Sequence, residues 1–107
     1  MMCFEVFLNG RKLCLAGVGK VGVLTAHVTY AGTKNSVGRK RKSEEERIAD
    51  LPWLHVGGLA NGQHVRWVKH PFHLEIGDEI RVKIKDTKKF DQAPFTEPAK
   101  LRNRKKS

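Results

Sequence analysis

Six stretches of this chain alternate apolar and polar residues with the two-residue period of a half-buried strand: Phe4–Leu8, Arg11–Ala16, Gly22–Tyr30, Leu54–Leu59, His64–Val68 and Glu79–Lys85. Two Asn-Gly pairs join four of them into hairpins. Asn and Gly both accept the positive φ of a type I′ turn, whose twist matches that of paired strands. A two-residue turn at Asn9-Gly10 sets Leu8 opposite Arg11, Val6 opposite Leu13 and Phe4 opposite Leu15 on a largely apolar face. Cys3, Glu5, Phe7, Lys12 and Cys14 then share the other face. In that register Cys3 and Cys14 are diagonal neighbours at about 7–8 Å, outside usual disulfide spacing, so both are expected as free thiols.

The turn at Asn61-Gly62 sets Val56 opposite Trp67, with Leu54, Gly58 and Val65 on the same face and His55, His64, Arg66 and Val68 on the reverse. In Gly22–Tyr30, Leu24, Ala26, Val28 and Tyr30 point one way and Thr25, His27 and Thr29 the other. In the last strand Ile80, Val82 and Ile84 point inward and Arg81, Lys83 and Lys85 outward. These patterns predict one all-β domain over residues 1–86, a small antiparallel β-sandwich or partly open barrel of about six strands. Residues 33–50 form a polar insert with no strand pattern. Ser43-Glu44-Glu45-Glu46 fits a capping box and Pro52 stops continuation, which predicts one or two helical turns over Glu44–Leu51. Residues 87–107, with Pro94, Pro98 and a closing basic run, are expected to be a largely disordered tail, with Phe90 and Phe95 able to dock on the core.

Charge changes the picture less than its total suggests. The chain carries 21 Lys+Arg against 11 Asp+Glu, a net of +10. The insert contributes six basic and four acidic residues and the tail seven and two, which leaves +3 for the strand-patterned residues. Neither a secretory leader nor a membrane span is read from the chain, so a reduced, cytoplasmic setting is expected.

Candidate catalytic chemistry is thin. Gly17-Val18-Gly19-Lys20-Val21-Gly22 matches G-x-G-x-x-G, but a strand pattern follows where a phosphate-binding loop needs a helix. It therefore reads as a connection between strands. Of His27, His55, His64, His70 and His73, the pair in His70-Pro71-Phe72-His73 has ligand-like spacing, but Pro71 excludes a regular helical presentation and no C-x-x-C completes a structural zinc site. Ser36, Ser43 and Ser107 lie in no nucleophile motif. No enzyme activity, metal or cofactor is predicted.

The basic residues give the leading functional expectation. Arg81, Lys83 and Lys85 form a row at a repeat of about 6.6–6.8 Å, which Arg66 extends. The runs Arg39-Lys40-Arg41-Lys42 and Arg102, Arg104, Lys105 and Lys106 add two arms. Together they point to a polyanionic partner, nucleic acid first, with a protein partner as the alternative.

The order FEVFLNGRKLCLAGVG, GVLTAHVTY, LHVGGL, HVRW and IGDEIRVKIKD resembles a group of short bacterial proteins of uncharacterised activity. The resemblance spans most of residues 4–86, and implies compact all-β structure in a bacterial cytoplasm with no site residue carried over.

Overall fold

In the computed structural model, which describes residues 1–32 and 44–98, the chain folds as two antiparallel sheets. The first contains β1 (Met2–Leu8), β2 (Arg11–Gly17) and β7 (Ile80–Asp86) in the order β2-β1-β7. The second contains β3 (Val23–Thr29), β4 (Trp53–Ala60), β5 (Gln63–Arg66) and β8 (Phe95–Pro98) in that order, with the short β6 (Phe72–His73) also pairing with β4. A single helix turn and a half, α1 (Glu44–Ala49), precedes β4. The Ser43 cap lies outside the described residues.

Apolar side chains from both sheets meet between them: Val6, Cys14 and Ala16 from the first, Leu54, Val56 and Val65 from the second, with Trp67, Val68 and Leu74. That mutual burial supplies most of the driving force for a domain of this size. Both Asn-Gly turns have positive φ at each residue, 53° and 84° at Asn9-Gly10 and 53° and 74° at Asn61-Gly62. Asn9 is also a fastener between turns. Its Nδ2 donates to Asp78 Oδ1 at 3.0 Å, and its Oδ1 accepts from the Glu79 N–H at 2.9 Å.

The second hairpin has the register read from its turn, with Gly57 opposite Arg66, and Trp67 N–H donating to Val56 O at 2.8 Å. The first departs from expectation after two pairs. Leu8 faces Arg11 and Phe7 faces Lys12, but Val6 then faces Cys14 and Phe4 faces Ala16. Leu13 is the extra residue of a bulge, which reverses the alternation beyond it. Cys14, expected opposite Glu5 on the polar face, is thereby turned into the core. Val68 is likewise buried, not solvent-facing.

Both cysteines are buried free thiols. Burial, with the nearby Asp91 carboxylate adding to it against the opposing Lys12, pushes the Cys14 thiol up to about 11. The thiol is the unreactive form. In native protein at mildly alkaline pH, Cys14 should resist iodoacetamide and become labelled only after unfolding. Peptide mass spectrometry at intervals checks this, and rapid native labelling would contradict the burial.

The largest departure is at the C-terminal side. Of the tail 87–107, read from sequence as largely disordered with Phe90 and Phe95 able to dock, residues 87–98 are described and lie along the core. Asp91 grips the outer edge of β2, its N–H donating to Leu15 O at 2.8 Å and its Oδ2 accepting from Leu15 N–H at 2.9 Å. Trp67 Nε1 donates to Asp91 O at 2.9 Å, and β8 adds to the second sheet through β5. Phe90 packs over Gly17, where a Cβ would lie 2.6 Å from the ring. Main-chain pairing and a few anchors thus order a segment of low apolar content.

Candidate nucleic-acid interface

Because β1 is central in its sheet, its polar face lies between those of β2 and β7. Glu5 consequently sits opposite Lys83 in register and contacts Lys12 at 3.4 Å and Lys85 at 3.7 Å. One carboxylate therefore serves a surface that also carries Arg81, Lys83 and Lys85. The Arg81 guanidinium lies 4.8 Å from the centre of the Phe7 ring, a cation–π contact that fixes it above the sheet without neutralising it. Among the described residues, neither Arg81 nor Lys83 makes an ion pair. The row is an exposed cationic face with two uncompensated members.

Arg66 does not extend that row. It stands on β5 in the other sheet, with its guanidinium 5.3 Å from the Phe95 ring centre. Alternation assigned Arg66 to a solvent face correctly, but its sheet depends on pairing. Arg39, Lys40, Arg41, Lys42, Arg102, Arg104, Lys105 and Lys106 lie outside the described residues. Ile84, expected inward, is 59% exposed because β7 is an edge strand.

The outer face of the second sheet gathers the histidines. His27 and His55 are direct cross-strand partners with ring centres 4.8 Å apart, and His73 meets Trp53 edge-on at 6.4 Å. His55, His64, His70, Arg66 and Glu97 border a shallow concavity of about 720 Å³, with Leu59 among its apolar walls. His70, considered in the sequence only as a metal-ligand candidate, and Glu97, which no sequence signal marked, join this concavity from segments without alternation. Among the described residues, no three His, Cys, Asp or Glu side chains converge as a metal-binding group. The G-x-G-x-x-G segment links β2 to β3, with φ of 82° at Gly19 and no helix after it.

Burial, then the neighbouring His27, Arg66 and His70, lowers the His55 pKa from its ordinary 6.5. The unfolded chain therefore takes up this proton before the folded one does. Stability from this group is complete above pH 6.5 and falls as pH drops below it. At lower pH Asp78 acts in the same direction. Hydrogen bonds from Asn9 and from Glu75 N–H hold its carboxyl below the ordinary 3.8. Urea midpoints measured downward from neutral pH should decline in two stages, and the first should vanish in His55→Gln. A midpoint that rises on mild acidification would contradict the His55 assignment.

Among the described residues, no helix is long and apolar enough to cross a membrane. No family model, curated protein or solved structure matches the chain.

Proposed function

We propose that this chain is a non-enzymatic module that holds a polyanion, nucleic acid in the first instance, across the outer face of the β2-β1-β7 sheet. The observation that carries the reading is the Arg81–Lys83–Lys85 row with Lys12 beside it, where Glu5 contacts Lys12 and Lys85, faces Lys83, and leaves Arg81 over Phe7. Phosphates recruited there would release condensed counterions, the main source of sequence-independent affinity. Phe7, beneath Arg81, places an aromatic surface within the same face. The basic runs at 39–42 and 102–106 bring further charge to any bound polyanion, consistent with the net of +10. Nothing on this face offers base-edge discrimination, so binding is expected to follow charge more than sequence.

The test is fluorescence anisotropy with labelled single-stranded and duplex oligonucleotides, comparing the full chain with the combined variant Arg81→Gln, Lys83→Gln, Lys85→Gln. The variant should bind at least roughly tenfold more weakly at low salt, because phosphate contacts and their counterion release are removed. Equal binding by the two proteins would reject the assignment of the face. A protein-interaction role is the second reading, favoured by the half-exposed Val28 and exposed Tyr30 beside the open edge of β3.

A further inference from the structure

A sheet edge left open presents unpaired N–H and C=O groups, and soluble proteins usually block such edges with charge, proline, a bulge or short length. Among the described residues, the edges at β2, β7 and β8 are treated in that way, and the off-path β6 is only two residues long. The β2 edge carries the Leu13 bulge and is bonded on both sides of Leu15 by Asp91. The β7 edge carries Arg81, Lys83 and Lys85. The β8 edge is four residues long and ends in Glu97-Pro98. The β3 edge has none of these devices. Its seven residues, Val23-Leu24-Thr25-Ala26-His27-Val28-Thr29, contain no Lys, Arg, Asp, Glu or Pro and pair with β4 without a bulge. Apolar side chains also remain open to solvent along it, with Val23 56% and Val28 50% exposed.

We infer that β3 pairs antiparallel with β3 of a second copy of this chain. The occupant follows from self-complementarity. Directly opposed residues in an antiparallel pair share a face, so Leu24, Ala26 and Val28 must meet one another and cannot meet Thr25, His27 or Thr29. The full-length register centred on Ala26 satisfies this. It sets Leu24 against Val28 of the second copy, Thr25 against its His27 and Val23 against its Thr29. β3 contains no Lys, Arg, Asp or Glu, so two copies meet along it without like-charge repulsion between such side chains. The same operation on β7 would crowd two rows of Arg and Lys. A charged peptide finds no complementary group on β3. The resulting dimer extends the second sheet through the two-fold axis and sets both three-stranded sheets on the same side of it.

Sedimentation equilibrium of the full chain tests the inference. The wild-type protein should reach twice the chain mass and dissociate reversibly on dilution. Val28→Lys adds an inward-pointing charge at a half-exposed position, and His27→Lys adds one on the exposed outer side. Each should weaken association at least roughly 100-fold while leaving the circular dichroism of the monomer intact. Should Val28→Lys fail to fold, the His27 variant carries the test. Amide hydrogen exchange in β3 should slow as wild-type concentration rises. A single-chain mass at every concentration, or a dimer whose dissociation constant neither folded variant changes, overturns the proposal.

Discussion

Gly58→Ala is expected to remove more than half of the protein's folding stability. A Cβ at this position would lie 1.8 Å from the carbonyl oxygen of Val23, 2.9 Å from its carbonyl carbon and 3.1 Å from Leu24 Cα. These are backbone atoms of the paired strand, so no side chain can swing aside to relieve the contact. The neighbouring Gly57 limits escape in the other direction, because a Cβ there would meet Val65 O at 2.4 Å. β4 is therefore held closely on both sides, and the methyl group must separate β3 from β4 or displace β4 into β5. Overpacking ordinarily costs about 1–3 kcal/mol, and forced backbone displacement exceeds that range. We expect a loss of more than about 3 kcal/mol, against a total near the low end of about 5–15 kcal/mol for a small domain. Urea denaturation measures it. Gly62→Ala is the control, since that site has open space but a φ of +74°, and it should cost only about 1 kcal/mol. A Gly58→Ala midpoint close to wild type would contradict the strand spacing described above.

Trp67→Ala should be nearly as damaging, for a different reason. The indole is 7% exposed and belongs to the core, so its removal costs about 3–5 kcal/mol in lost burial and cavity formation. It also removes the donor to Asp91 O, whose residue ties the C-terminal segment to β2. Two effects should therefore appear together: a lower urea midpoint, and faster tryptic cleavage at Lys88 and Lys89. Trp67→Phe retains most of the apolar volume but loses the Nε1 bond, so it should shift cleavage more than stability. Equal protease resistance in all three proteins would mean that the Trp67–Asp91 contact does not hold the segment.

Turn chemistry and alternation made much of this architecture legible. Asn9-Gly10 and Asn61-Gly62 located both hairpins, and the Val56–Trp67 pairing followed from the second. The bulge at Leu13 was not legible because Leu13-Cys14-Leu15-Ala16 is apolar throughout, so either register presents an apolar face. Pairing between distant segments was also hidden. The central position of β1 decides that Glu5 meets both Lys12 and Lys85, and nothing local to Glu5 reveals it. Alternation likewise told which way Arg66 points, but not that the sandwich separates it from Arg81. Thr87–Pro98 misled in the opposite sense. Its prolines and polar residues describe a segment with little core of its own, whereas Asp91, Phe90 and β8 anchor it to a surface built elsewhere.

The central claim is that a polyanion is held by the Arg81–Lys83–Lys85 face, and the salt dependence of binding tests it most directly. For full-length protein titrated with a labelled oligonucleotide, log K should fall linearly with log salt at a slope of about −4 to −5, for four to six phosphates engaged. The combined Arg81→Gln, Lys83→Gln, Lys85→Gln variant should give a slope shallower by about 2–3, roughly one phosphate contact for each cation removed. A slope near zero in the wild-type protein, or one unchanged in the variant, would contradict the account.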